Sequence, residues 1–154
     1  MELKDFQEGA YDPDAAAMAR WLADGGSSAF DAGNIEGAIA LWQQALCLKL
    51  PLGIEVSILV ELADALSEWF RSPAAGRTSR DFAIARLHLM ESAITRLREL
   101  LKVPDPWTLA MEGWDIQGQT LDPSTYVRED ERMKYREFAD WCDNLCQMFR
   151  KTLT

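Results

Sequence analysis

The apolar residues of this chain recur three and four positions apart, and no segment alternates apolar with polar over the length of a strand. The run from 84 to 101 is the plainest case. Ile84, Leu87, Met90, Ala93, Ile94, Leu97, Leu100 and Leu101 fall on one face of a helix and leave charged residues on the other. Glycine and proline punctuate the chain at helix-sized intervals. Together these features predict an all-α fold.

The punctuation places the helices. Residues 1–11 carry no pattern and read as a loose arm, with a single helical domain over 12–154. Asp12 and Pro13 read as an N-cap followed by proline in the first turn. Ala16, Met18, Ala19, Leu22, Ala23 and Phe30 then recur at helical spacing. Gly25 and Gly26 interrupt them, at a cost of ~1 kcal/mol each relative to alanine. Either the helix breaks there or a neighbour packs too closely for a side chain. Asp31-Ala-Gly-Asn34 is a stop and turn. Ile35, Ala38, Ile39, Leu41, Trp42, Ala45, Leu46 and Leu48 predict a helix over 35–49, ended by Pro51 and Gly53. A third helix, 55–70, carries Ile58, Leu59, Leu62, Ala63, Leu66, Trp69 and Phe70, with Glu61, Asp64 and Glu68 as an acidic stripe. Residues 72–77 read as a loop. Thr78 and Asp81 have capping-box character ahead of a helix over 80–102. Asp105-Pro106 predicts a short helix holding Trp107 and Trp114. Asp122-Pro123 predicts the start of a last one, whose stripe includes Val127, Met133, Phe138, Trp141, Cys142, Leu145, Cys146 and Phe149. Arg150 and Lys151 sit near its end, where cations favour the helix dipole.

The balance of charge narrows the partners. With 154 residues, 48% hydrophobic and 27% charged, the chain can bury a core. Its net charge of −9 repels phosphate backbones and anionic membrane surfaces, so neither nucleic acid nor membrane is expected as a partner. The same charge speeds encounter with a basic protein or peptide. The acidic, polar first residues lack the pattern of a signal peptide, and no run approaches the ~18 apolar residues of a membrane span. Three cysteines, an odd number without a regular framework, fit reduced thiols and a cytoplasmic setting.

The stretch from Leu22 to Leu48 resembles a tetratricopeptide repeat, a helical hairpin of roughly 34 residues used in stacked arrays. Leu22 matches the early large residue and Gly26 the small residue where the two helices cross. Gly33-Asn34 matches the turn, and Ala38, Trp42 and Ala45 the small, aromatic and small positions of the second helix; Leu46 and Leu48 complete it. A partial second repeat begins near Val56, with Leu59, Leu62, Ala63 and Leu66 in its first helix. Its second helix is displaced by the 72–78 segment. The resemblance implies stacked antiparallel hairpins with divergent C-terminal helices. It also explains Gly26, which would face the 35–49 helix near Ala38 or Ala45. Proteins of this kind mostly bind peptides or partner domains on a concave face lined by first helices. Carried across, that face holds Ala23, Ser27, Phe30 and Asp31 from the first hairpin and Val60, Asp64 and Glu68 from the second.

Catalytic constellations are missing from the sequence. His88 is the only histidine and has no evident partner group. Cys142 and Cys146, one turn apart on an apolar stripe, read as small buried hydrophobes; a zinc site needs more ligands than these. No Glu-x-x-His motif accompanies the acidic stripe. The run 128–132, Arg-Glu-Asp-Glu-Arg, reads as a solvated helix face. Gly25-Gly26-Ser27-Ser28 lacks the lysine of a phosphate loop, and no G-x-S-x-G elbow occurs. No catalytic, metal or cofactor-binding residue is therefore expected. Trp21, Trp42, Trp69 and Trp141 read as core, whereas Trp107 and Trp114 either seal the last helix or form a binding hot spot. The expected function is capture of a dedicated protein partner by a small acidic immunity or inhibitor protein that neutralises a toxin or effector. A secretion-type chaperone or adaptor, suggested by Ala45-Leu46-Cys47-Leu48, is the alternative, and an enzyme of unrecognised type a weaker one.

Overall fold

The structure, a computed structural model, describes residues 13–105 and 125–153. Within them the three-and-four spacing folds as helix: α1 (Pro13–Asp31), α2 (Ile35–Leu46), α3 (Leu52–Phe70), α4 (Pro73–Arg77), α5 (Arg80–Leu100) and α6 (Glu129–Leu153). There is no strand among the described residues. The fold is all-α, as the periodicity requires. The proposed N-terminal arm and the short helix carrying Trp107 and Trp114 lie outside the described residues.

The two glycines do not break α1. The helix runs through them to a tight stop in which Gly33 adopts φ +83. There the Asn34 N–H donates to Ala29 O at 2.8 Å and the Gly33 N–H to Phe30 O at 2.9 Å, the paired closure of a helix end that favours glycine. Asn34 then caps α2, its side chain accepting from the Gly37 N–H at 2.9 Å. The hairpin closes on a fully buried seam of Ala19, Ala38, Trp42 and Ala45. Gly26 lies against Trp42, which sits on the same face as Ala38 and Ala45. A Cβ there would fall 2.7 Å from Trp42 Cδ1 and 2.8 Å from Cε2. The glycine is required by that approach.

A second hairpin follows. Pro51 sets the N-cap of α3 at φ −56, and its carbonyl accepts from the Ile54 and Glu55 N–H groups. Leu52, Gly53 and Ile54 are thereby drawn into the first turn. The helix accordingly starts at 52 rather than 55, and α2 stops at 46 rather than 49. The 72–77 segment is the helix α4, with Pro73 in its first turn, and not a loop. The cap of α5 is Ser79, whose hydroxyl accepts from the Phe82 N–H at 3.2 Å; Thr78 is one residue too early. The antiparallel run of α3 and α5 is marked by Arg96 Nε 2.6 Å from Glu55 Oε2 at one end. At the other, the Arg86 guanidinium lies 5.3 Å from the Trp69 ring.

The last helix, α6, begins at Glu129, well after Asp122-Pro123. Its start is fixed from a distance: the buried Asp105 carboxylate accepts from the Glu129 N–H at 3.1 Å. α6 packs along α5 and also touches α3. Arg98 reaches Asp140 at 2.7 Å, and Arg150 pairs with Glu91. The core that joins these helices centres on Trp42, Ile58, Leu62, Leu66, Leu87, Met90, Leu97 and Leu101.

Several side chains depart from the sequence reading. Trp42 and Trp69 are core, but Trp21 is 70% exposed and Trp141 42% exposed. Trp21 lies on the outer side of α1 beside exposed Met18. Trp141 stacks under the Arg71 guanidinium, 5.4 Å away. The 128–132 run is not uniformly solvated: Arg132 is buried and ion-paired with Glu129. No helix among the described residues is long and apolar enough to cross a membrane.

Candidate acidic binding trough

α1 lies beside α3, and the residues between them are short or acidic. Ala23, Ser27 and Asp31 follow one another at helical spacing on α1. Ser57, Glu61, Asp64 and Glu68 do so on α3. Where the two rows meet, the Ser27 hydroxyl donates to Glu61 Oε2 at 3.2 Å. This bond divides the trough into two adjoining cavities with Ser27 and Glu61 in the wall of both.

The first cavity, of about 330 Å³, is lined by Ser27, Phe30, Asp31, Trp42, Glu61 and Asp64. Its apolar wall is the half-buried Phe30 ring, tilted at 45° to the Trp42 indole with centroids 6.1 Å apart. The Trp42 Nε1–H points away, towards the Ala23 carbonyl at 3.4 Å. The second cavity, of about 390 Å³, lies where α6 comes over the trough. α1 contributes Arg20, Ala23, Asp24 and Ser27; α3 contributes Gly53, Ile54, Ser57, Ile58 and Glu61. Tyr126, Val127, Glu131 and Tyr135 close it from the C-terminal part.

The electrostatics arise from that crowding. Burial pushes the Glu61 carboxyl above its usual range, and Asp24, Asp31 and Asp64 push it further, against the opposing effect of the Ser27 hydrogen bond. The Tyr135 phenol is likewise pushed up, by burial first and then by Glu131 and Glu61. Elsewhere four arginines bridge helices: Arg86 to Glu36, Arg96 to Glu55, Arg98 to Asp140 and Asp143, and Arg150 to Glu91. Asp24, Asp31, Glu61 and Asp64 form no ion pair with any described residue.

Ser27, Phe30, Asp31 and Asp64 line one cavity, and Ala23 lines the adjoining one. Val60 does not: it is half-buried against the core, one residue out of register with the face that Glu61 occupies. Glu68 is exposed but lines neither cavity. Trp107 and Trp114 lie outside the described residues. Glu61 itself was visible in the acidic stripe, and the 57, 61, 64, 68 spacing marks its face. Glu131 and Tyr135, also one turn apart, could not be assigned before the packing of α6 was known.

Other chemistry is sparse. Cys142 and Cys146 are buried, free thiols, and burial pushes them up to about 12 and about 11. Cys47 is free and exposed. His88 lies exposed on α5 near Glu91 and Ser92, but no hydrogen bond joins the three, and Glu91 is held by Arg150. No group of His, Cys, Asp and Glu among the described residues is arranged to hold a metal ion. Comparison with protein-family models, curated proteins and solved structures finds no match to this chain.

Proposed function

We propose that this chain is a non-catalytic binding module, built on tetratricopeptide-like hairpins, that holds a basic segment of a dedicated protein partner in the trough between α1 and α3. The observation that carries this reading is the set of four carboxylates, Asp24, Asp31, Glu61 and Asp64, none of which forms an ion pair with a described residue, although Arg20 lines the same trough. A lysine- or arginine-bearing segment would supply the missing counter-charge. Phe30 would offer it a desolvated apolar contact, while the carboxylates would mainly govern encounter rate and orientation. Its role would be that of a small inhibitor that neutralises a toxin or effector in the cytoplasm. The stacked hairpins α1–α2 and α3–α5 support a second reading, an export chaperone or adaptor.

The test begins with a partner identified by crosslinking through the trough. Association with the Asp31→Lys, Asp64→Lys double variant, verified as folded by circular dichroism, should be slower by tenfold or more at low salt, with a weaker salt dependence. Unchanged association would refute the trough. Loss of the partner's activity at saturation supports the inhibitor; retained activity with improved solubility supports the chaperone.

A further inference from the structure

The cavity under α6 differs in kind from its neighbour. It takes in the C-terminal part of the chain as well as α1 and α3, and its carboxylates come from three helices: Asp24 from α1, Glu61 from α3 and Glu131 from α6, with Arg20 of α1 also in its lining. Tyr135, half-buried, lines the cavity with Glu61 and Glu131, and both carboxylates act on its phenol. Ile54 and the buried Ile58 supply apolar lining. An opening with an apolar stem wall, an aromatic side and carboxylates around the rim suits one long, amphipathic cation. Lysine and arginine both have the stem. Only arginine has a planar head that lies against a ring while its edges serve carboxylates in different directions.

We infer that this cavity receives a single arginine side chain of the partner, its guanidinium beside Tyr135 and paired with Glu61 and Glu131. The inference rests on the binding-module reading and deepens it, by naming the residue that would anchor the partner. Insertion would exchange the Ser27 hydroxyl on Glu61 for a charged donor, which is a stronger bond. Arg20 does not fill the role itself. It lines the same cavity, but it forms no ion pair with these carboxylates and is not among the charges that act on Glu61 or Tyr135.

The experiment needs no partner. The full chain, labelled with ¹⁵N, is titrated with N-acetyl-arginine methylamide, and in parallel with the lysine and norleucine analogues. Saturable shifts are expected at the amides of Ser27, Glu61, Glu131 and Tyr135 with the arginine probe. The lysine probe should bind several-fold more weakly and the norleucine probe not at all. Glu61→Gln and Glu131→Gln, conservative changes at residues that keep contact with solvent and both expected to fold, should each weaken the arginine probe about fivefold. Absence of saturable shifts, equal response to lysine or norleucine, or shifts confined to Phe30, Asp31 and Asp64 would each overturn the assignment. The two readings fail separately. Charge-sensitive partner association without probe binding would sink the cavity assignment alone. Probe binding combined with charge-insensitive association would sink the trough and leave the cavity as an arginine site.

Discussion

Gly25 and Gly26 are adjacent in one helix, have the same intrinsic cost, and should respond to the same substitution with opposite signs. Alanine at either position gains helix propensity, about 0.8–1 kcal/mol. At Gly25 the added methyl meets only Leu41 Cδ1, at 3.3 Å, the free end of a half-buried side chain that can give by a few tenths of an ångström. At Gly26 it meets three atoms of the Trp42 indole, two of them at 2.7 and 2.8 Å, and that ring is 2% exposed. It cannot swing away without leaving Ala38, Ala45 and the Ala23 carbonyl. Overpacking costs ~1–3 kcal/mol, and contacts under 3.0 Å with an enclosed ring place this one in the upper part of that range, beyond the propensity gain. Gly25→Ala is therefore expected to be neutral or stabilising by up to ~1 kcal/mol, and Gly26→Ala to be destabilising by ~1–2 kcal/mol. In a protein of this size each kcal/mol moves Tm by roughly 2–4 °C. Thermal and urea unfolding, followed by circular dichroism and tryptophan fluorescence, would read the pair. Trp42→Leu, which removes the ring atoms that the methyl would meet, should make a second Gly26→Ala change cost less than it does alone. A Gly26→Ala protein as stable as the parent would falsify the crossing geometry, and so would equal losses at both glycines.

Burial and charge elsewhere in the molecule set three further outcomes. Under native conditions a thiol reagent should modify Cys47 quickly and Cys142 and Cys146 only on unfolding, since a thiol pushed up to about 12 or about 11 has almost no thiolate at neutral pH; three fast thiols would contradict their burial. The Glu61 carboxyl is raised in the folded state, so its ionised form opposes folding above that raised pKa, and the penalty is relieved as pH falls through it. Glu61→Gln should accordingly raise Tm at neutral pH and lose that advantage in acid below the ordinary carboxylate range; an advantage that grew in acid would reverse the sign. Asp105→Ala should cost ~0.5–2 kcal/mol by removing the acceptor for the Glu129 N–H, seen as a lower urea midpoint; an unchanged midpoint would show that α6 holds its start without it.

Periodicity makes the helices legible, because a 3.6-residue repeat is local and survives without knowledge of neighbours. The ends are less so. Pro51 reads as a stop for the helix before it, but its carbonyl also starts the next helix. Ser79 and Thr78 are chemically interchangeable as caps, and only the backbone decides between them. Asp105 caps a helix 24 residues away, a relation no local window contains. Exposure fails at Trp21 and Trp141 for a related reason: spacing places a residue on a face, but which face meets the core depends on packing. Half of the trough is readable because the α1 row of Ala23, Ser27 and Asp31 is continuous. The choice of Val60 over Glu61 is a slip of one residue, which rotates a helix position by about 100°. The α6 contribution is hidden because Glu131 and Tyr135 show their meaning only when α6 has been laid against α3.

The carboxylates of the trough also govern how copies of this protein behave towards one another. Asp24 is one turn from Trp21, whose indole is almost bare, and Met18 is exposed beside it. On a neutral surface such a pair would be an adhesive spot. Here, two molecules approaching through this side bring like charge against like before the rings can touch, and the repulsion favours solubility at neutral pH. Lowering the net negative charge in acid weakens that repulsion while Trp21 and Met18 stay exposed. Clouding on acidification would then be a surface event in a folded protein, with Trp21 at the seam.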